Sequence, residues 1–402
     1  MPKAFSKTGS IIIATIVGII VVIVAILALN ISTERRLAIG LIEQRTSASF
    51  YTLPNPIPEG KPGTLVQYQK VNSIFDGAKA WRVMYHSNDL NGVDILVTGT
   101  VIAPDGPAPE GGWPIVSWGH PTTGIVERCA PSRGIAPFDL IEGLRDFIDR
   151  GFAVVATDYS GMGAAGPNSF LIGKTEGHNV LDIARAAREI PQAKAGNKLV
   201  LWGHSQGGQA VLFAAQDAAE YAPDLDLKAV AVAAPATNLS DLLKADINDV
   251  SGVSIGSYAF ESYSSVYASV PGTNLDTILT PQGVAQNKEM ASLCLLGQNG
   301  QLHSLATPLI KNYLKADPGT LEPWATLLSE NSPGGKKLTA PLFIAQGETD
   351  ALVRPYITAQ FASHEQSIGT DVTYLTIPNT GHGMVALRAL PHVFEWLGPH
   401  LR

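Results

Sequence analysis

The stretch LWGHSQGGQA, residues 201–210, places a serine between an aliphatic run and a helix-forming segment. Within it, GHSQG (residues 203–207) matches the pattern G-x-S-x-G. The two glycines leave room for the backbone to turn sharply from a strand into a helix. Such a turn exposes the Ser205 hydroxyl above the sheet edge and points the next helix N-terminus at negative charge developing there. A strand directly before and a helix directly after favour a nucleophile elbow over a chance match.

The sequence around this stretch alternates short apolar runs with amphipathic helical patterns. Because most of these apolar runs are continuous, they predict strands buried on both faces, in a mostly parallel sheet flanked by helices. A pair of strands in residues 81–104, around a turn at Asn88–Gly92, precedes them. The other predicted strands are Pro114–His120, Phe152–Tyr159, Lys198–Gly203, Lys228–Ala236, Ala340–Gln346 and Asp371–Pro378. The predicted helices are Pro137–Gly151, Asn179–Ile190, Gly208–Ala222 and Gly383–Leu397.

The alternation of strand and helix patterns is interrupted between residues 238 and 337. This stretch is rich in Ser, Gly and Asn and contains short helical patterns. Because a structureless loop of that length is improbable in a compact domain, we expect a mainly helical insertion, called the cap below. Its apolar segments Tyr258–Val270 and Leu321–Leu328 are candidates for the lining of an acyl-binding cleft, or form only the core of the cap.

The N-terminus contains an uncharged apolar segment, Ile11–Leu29. Its length matches about 28 Å of helix, close to the thickness of a bilayer. A cleavable signal peptide would have a shorter apolar core, so we expect an uncleaved membrane anchor, with cleavage and secretion as the alternative. The basic residues on its two sides do not decide its orientation.

Composition excludes several classes of function. A net charge of −7 and a pI near 5.7 argue against binding to nucleic acid. The chain has two cysteines and no CxxC motif, which argues against a structural metal site. We therefore expect no metal and no cofactor.

A serine nucleophile needs a base, and a histidine base needs an orienting acid. Among nine histidines, His382 follows the last predicted strand between two glycines and is our candidate base. His120 is the other histidine that remains a candidate for the base. The segment QGETDALV (346–353) ends the preceding strand, where Asp350 is the candidate acid and Glu348 the alternative. The order Ser205, Asp350, His382 is that of α/β-hydrolases.

From about Trp81 to the C-terminus the chain resembles an α/β-hydrolase. The segment SWGHPTTGIVERCAPS (117–132) makes it similar to the secretory lipase family, of the fungal lipase A type. DYSGMG (158–163), the cap and the GETD and GHG loops fit the same pattern. The resemblance implies hydrolysis of carboxylic esters, including lipids, through an acyl-enzyme. Acyl transfer or peptide cleavage on the same fold is the alternative, because the acyl-enzyme step is shared.

The resemblance leads us to expect a glycine after His120, but Pro121 stands there. Proline has no N–H and cannot donate to an oxyanion. We therefore expect the oxyanion to bind the Gln206 N–H and a second donor at Thr122 or Thr123. The alternative is that this segment is only a turn after a strand.

The two cysteines, Cys129 and Cys294, fall in the loop beside the expected oxyanion site and in the cap. A disulfide between them would join cap to core and place the catalytic domain outside the cytoplasm. The alternative is two unrelated buried thiols. The expected organisation is an anchor at residues 1–33, a stem at 34–63 and the catalytic domain at 64–402, with the cap at 238–337.

Overall fold

A computed structural model describes residues 32–401 of the chain. The predicted anchor segment Ile11–Leu29 lies outside these residues. Within residues 32–401, none of the helices combines the length and apolar character needed to cross a bilayer.

A nine-stranded sheet forms the centre of the described chain, in the order β1-β2-β3-β5-β4-β6-β7-β8-β9. The pairs from β1 to β3 and the β3–β5 pair are antiparallel, and all other neighbours are parallel. The mostly parallel sheet predicted from the apolar runs is therefore confirmed. The strands are β1 Leu65–Val71, β2 Ala78–Asn88, β3 Asp94–Pro104, β4 Trp113–Gly119, β5 Ala153–Thr157, β6 Ala195–His204, β7 Asp226–Ala233, β8 Leu342–Gly347 and β9 Val372–Ile377.

Helices cover both faces of the sheet. Every residue of β5 and β8 is buried, because apolar clusters lie on both sides of these strands. Five short 3₁₀ turns lie between the elements of residues 32–401. The helices are α1 (residues 32–46), α2 Leu144–Asp149, α3 Gly173–Arg188, α4 Gln206–Tyr221, α5 Leu239–Asp246, α6 Val250–Val266, α7 Pro281–Ser292, α8 Leu295–Ala306, α9 Trp324–Glu330, α10 Pro355–Ser367 and α11 His382–His400.

The predicted helix Pro137–Gly151 is wrong over its first half. Only α2 is α-helical there, and residues 137–143 form turns. Gly143 precedes α2 with φ of +83°, a conformation that interrupts a helix. A Cβ at Gly143 would also lie 2.5 Å from Cδ2 of Leu390, so α11 approaches closely at this point.

The cap region, residues 238–337, contains α5 to α9 and contributes no strand to the sheet. It has its own apolar cluster, in which Phe260, Tyr263 and Trp324 are almost fully buried. The ring of Trp324 packs edge-on against Phe260 and nearly parallel to Tyr263. The cap is therefore a packed unit, inserted between β7 and β8.

Helix α1 lies mostly in the segment expected to be a stem, beginning two residues before it, and packs on the rest of the domain. The Glu43 carboxylate accepts a hydrogen bond from the Asn72 backbone N–H at 2.7 Å. The Gln44 amide donates to the carbonyl of Arg133 at 3.1 Å. These contacts fix α1 to two separate loops of the domain.

Candidate active site

Ser205 occupies the turn between β6 and α4. Its backbone has φ of +58° and ψ of −120°, which a non-glycine residue adopts only when the surroundings enforce it. A Cβ at Gly203 would lie 2.2 Å from the carbonyl oxygen of Gly207, and one at Gly207 would lie 1.9 Å from that of Gly119. Both glycines are thus required by close backbone approach, as the elbow pattern predicts.

Three of the predicted site residues come together at the carboxyl edge of the sheet. His382 Nε2 lies 2.9 Å from Ser205 Oγ, and His382 Nδ1 lies 2.8 Å from Asp350 Oδ2. Ser205 follows β6, Asp350 lies just after β8, and His382 follows β9. Because parallel strands end at one edge of the sheet, these side chains meet although they are far apart in sequence.

The Asp350 carboxylate is buried and fixed by the loop that follows it. Its Oδ1 accepts hydrogen bonds from the backbone N–H groups of Leu352 and Val353, both at 2.9 Å. The side-chain amide of Gln346 donates to Oδ2 at 3.3 Å. This loop aims Oδ2 at the ring of His382.

Glu348, the alternative acid, is exposed and lies away from the histidine ring. Its carboxylate accepts a hydrogen bond from the backbone N–H of Asn379 at 3.1 Å. Glu348 therefore supports the loop that precedes His382 and forms no hydrogen bond with the imidazole.

His120, the other candidate base, is buried beneath this edge of the sheet. Its Nδ1 donates to the carbonyl of Pro121 at 2.7 Å, and its ring contacts that of Tyr159 at a tilt, with the ring centres 4.4 Å apart. Burial lowers the pKa of His120 below its ordinary value. Its hydrogen bonds go to backbone carbonyls, and none goes to Ser205.

His204, inside the elbow, makes contacts that the sequence did not suggest. Its Nδ1 lies 2.8 Å from Glu142 Oε1, and its Nε2 lies 3.1 Å from the backbone carbonyl of His382. Its ring centre is 4.9 Å from that of His382. Glu142 precedes α2 in a segment with no catalytic motif, so no sequence signal pointed to it.

The three predicted oxyanion donors have different surroundings. Thr122 and Gln206 line one cavity together with Ser205 and His382. The hydroxyl of Thr123 instead donates to the carbonyl of Cys129 at 3.0 Å. Within residues 32–401, no group accepts a hydrogen bond from the backbone N–H of Gln206, Thr122 or Thr123.

An apolar cavity of about 960 Å³, counting its open mouth, lies between the Ser205 edge of the sheet and the cap. Small residues of α6 leave room for it, because Gly252, Gly256 and Ala259 lie on the cavity wall. The rest of the wall is mainly aliphatic and aromatic, from Phe170, Leu171, Leu239, Leu242, Leu243, Ile255, Phe260, Tyr263, Leu295, Leu328, Leu352 and Val353.

Asp246, at the end of α5, is an acidic residue in this apolar wall. It pairs with Arg354, whose Nη2 lies 2.6 Å from Oδ1. Burial raises the pKa of Asp246 to about 6, and the hydrogen bond and charge of Arg354 oppose this shift. Since Arg354 precedes α10 of the core, the pair joins the cap to the core beside the cavity.

A disulfide joins Cys129 and Cys294, the first of the two possibilities that the sequence left open, and so connects the loop after β4 to the cap. The backbone N–H of Leu295 donates to the carbonyl of Thr123 at 2.9 Å, beside the disulfide.

No group of three or more His, Cys, Asp and Glu side chains within residues 32–401 is arranged to hold a metal ion.

Comparison with known proteins identifies the family. The family model described as secretory lipase matches residues 141–401. The chain belongs to the secretory lipase family. This match includes the elbow, the cap and the segments that contain Asp350 and His382.

The relatives that the chain matches carry different names. The chain is 24% identical over 384 residues to a secreted triacylglycerol lipase of Malassezia globosa, covering 87% of this chain and 78% of that protein. It is 27% identical over 206 residues to a probable inactive lipase of Mycobacterium tuberculosis, covering 47% of this chain. That match spans 45% of the relative, less than half of its length.

The fold is that of a solved lipase. Lipase A of Candida antarctica in its closed state superposes with a TM-score of 0.70 at 19% identity, covering 87% of this chain and 84% of that one. The predicted α/β-hydrolase fold is therefore confirmed. At this identity the likeness concerns the fold alone.

Proposed function

We propose that this protein hydrolyses carboxylic esters through an acyl-enzyme formed on Ser205. One observation carries the proposal: the Ser205 hydroxyl contacts His382 Nε2, while Asp350 contacts Nδ1 of the same ring. A hydroxyl is a weak nucleophile until a base removes its proton, and this arrangement supplies the base and its orienting acid.

The geometry supports a two-step reaction. His382 takes the proton of Ser205 as Ser205 Oγ attacks the ester carbonyl. His382 then gives that proton to the leaving alcohol. In the second step His382 takes a proton from the water that attacks the acyl-enzyme and gives it to Ser205 Oγ, as the acyl–oxygen bond breaks and the carboxylic acid leaves. Asp350 keeps the ring in the tautomer that presents Nε2 to Ser205. The catalytic roles of these three residues are part of the proposal.

The negative oxygen that forms in each step needs hydrogen-bond donors. We assign this role to the backbone N–H groups of Gln206 and Thr122, since both residues line the cavity beside Ser205 and both groups lack partners within residues 32–401. Gln206 also begins α4, whose N-terminus favours negative charge.

The substrate class follows from the cavity wall. Its aliphatic and aromatic lining suits a hydrocarbon acyl chain, and its Ser205 end suits the ester carbonyl. An ester of a fatty acid, including a triacylglycerol, has both parts.

If the α6 wall contacts the acyl chain, Ala259→Phe will move the preferred p-nitrophenyl ester toward shorter chains, at unchanged labelling of Ser205.

Location is a further part of the proposal. The disulfide between Cys129 and Cys294 favours an oxidising compartment outside the cytoplasm. The uncharged segment Ile11–Leu29 supports an anchor in the membrane. We propose that the catalytic domain lies outside the cytoplasm, held at the membrane by this segment or secreted after cleavage.

Hydrolysis of p-nitrophenyl esters from C2 to C16 tests the function, using the full chain in detergent. Ser205→Ala is expected to abolish turnover while the melting temperature changes little. Ser363→Ala, which removes an exposed hydroxyl on α10, is the matched control. Equal turnover by Ser205→Ala and the wild type would rule the proposal out.

A further inference from the structure

Glu176 is a fully buried acid beneath the elbow. It lies in the first turn of α3 with none of its surface exposed. Its Oε1 accepts hydrogen bonds from the Gln206 side-chain amide at 2.6 Å and from the Leu171 backbone N–H at 3.3 Å. No Lys, Arg or His side chain of residues 32–401 forms an ion pair with it.

The contacts of Glu176 connect the elbow to the cavity wall. Gln206 begins α4 directly after Ser205, and its side chain is held by Glu176. Leu171, the other partner, lines the cavity with φ of +56°. The Leu171 carbonyl accepts hydrogen bonds from Gln209 on α4 and from the hydroxyl of Tyr263 on α6. Glu176 therefore fixes two residues that line the cavity.

An ionised carboxylate at this position is unfavourable for two reasons. Burial raises the pKa of Glu176 well above its usual range, and the hydrogen bonds from Gln206 and Leu171 offset this only in part. A negative charge in contact with Gln206 would also repel the oxyanion that the Gln206 N–H stabilises. Both effects are absent when the carboxyl group carries its proton.

We propose that Glu176 is a positioning residue, held as the uncharged acid, that fixes Gln206 and so aims its backbone N–H at the oxyanion. This inference rests on the proposed ester hydrolysis, although the protonation of Glu176 does not. Two buried atoms of the pair, Glu176 Oε2 and Gln206 Oε1, have no hydrogen-bond partner within residues 32–401. An ionised carboxylate would therefore leave Oε2 as a buried charged acceptor without a donor, which is costly.

Thermal unfolding tests the uncharged state without reference to activity. Above the ordinary pKa of Glu, about 4.3, the unfolded chain loses a proton that native Glu176 keeps, so the contribution of Glu176 to wild-type stability falls as pH rises. Because the side chain of Glu176→Gln cannot ionise, this variant does not lose stability for that reason. The melting temperature of Glu176→Gln minus that of the wild type is therefore expected to increase from pH 5 to pH 8. A difference that stays constant would overturn the uncharged state.

Other ionisable groups near Glu176 do not obscure this measurement. The groups that face it are the hydroxyls of Tyr159, after β5, and Tyr263, on α6. Burial raises the pKa of both phenols well above 10, so both remain uncharged over the range measured.

Kinetics at pH 7 test the positioning role. Glu176→Ala is expected to lower kcat about tenfold with KM within about twofold, since it loosens Gln206 without removing a cavity residue. Glu176→Gln is expected to restore kcat to within about threefold of the wild type, because its amide oxygen still accepts from Gln206. Gln206→Ala is expected to lower kcat as much as Glu176→Ala does, and the double variant to lower it no further, as for residues that act as a unit.

Two kinetic results would overturn the positioning role: wild-type kcat in Gln206→Ala, or equal damage by Glu176→Gln and Glu176→Ala. Gln206→Ala and Glu176→Gln keep the test decisive if Glu176→Ala does not fold. Ser205→Ala tests the proposed ester hydrolysis without testing the role of Glu176, so the two proposals can fail separately. If Ser205→Ala is inactive and the Glu176 series shows no effect, the ester hydrolase stands and this inference fails.

Discussion

Asp350 Oδ2 lies 2.8 Å from His382 Nδ1, although 32 residues separate them in the chain. The contact exists because β8 and β9 are parallel neighbours, so the loops after them leave the sheet side by side. Asp350 is nearly fully buried, and its second oxygen is occupied by backbone N–H groups. The pair is therefore fixed before any substrate binds.

Asp350→Asn is expected to lower kcat by about 10³–10⁴, because the amide can stabilise the wrong tautomer of His382 and carries no charge opposite its imidazolium. KM is expected to change little, since Asp350 does not line the cavity. Steady-state kinetics with a p-nitrophenyl ester measure both constants. Glu348→Gln is the control, and a larger loss of kcat there than in Asp350→Asn would reverse the assignment of the acid.

Thr122→Pro is expected to lower kcat about 10²–10³-fold, since it removes the N–H assigned to the oxyanion. Thr122→Val keeps the N–H and removes only the hydroxyl, so its loss is expected to be less than about tenfold. A larger loss in Thr123→Pro, at matched melting temperature, would transfer the role to Thr123. Full kcat in Thr122→Pro would remove Thr122 from the oxyanion site.

Arg354→Met is expected to destabilise the protein by about 1–3 kcal/mol at pH 8, because it leaves the Asp246 carboxylate unpaired in the cavity wall. The pKa of Asp246 is raised to about 6, so this residue carries a proton at pH 5. The loss is therefore expected to be smaller at pH 5 than at pH 8. Denaturant titrations at the two pH values measure it, and an equal loss would contradict the role of the charge.

Replacing Cys129 and Cys294 together by serine is expected to cost about 2–5 kcal/mol, because the disulfide closes a long loop in the unfolded chain. The sequence separation is 165 residues. Reduction of the wild type is expected to lower its melting temperature to that of the double variant. Equal melting temperatures of oxidised wild type and double variant would show that the bond contributes no stability.

The sequence predicted the elbow, the parallel strands and the meeting of Ser205, Asp350 and His382, because each depends on local pattern and on strand order along the chain. G-x-S-x-G fixes a turn by local sterics. Continuous apolar runs identify buried strands without knowledge of their neighbours. The meeting of the three side chains was predictable because parallel strands end at one edge of the sheet, which brings together the residues that follow them.

The sequence could not predict contacts that depend on where an unrelated element packs. Glu142 and Glu176 are ordinary acids in turn or helical segments, and their hydrogen bonds go to His204 and Gln206, which β6 and α4 bring against them. The first half of the predicted helix Pro137–Gly151 failed for a similar reason. Its amphipathic pattern is present, but Gly143 adopts a positive φ where α11 approaches.

Covalent labelling tests the central claim most directly. Intact-mass and peptide analysis of the full chain after reaction with a fluorophosphonate is expected to find one adduct, on Ser205. His382→Ala is expected to label far more slowly, and Ser205→Ala not to label at all. A wild-type adduct on another residue, or labelling of His382→Ala at the wild-type rate, would contradict the account of Ser205 as a nucleophile activated by His382.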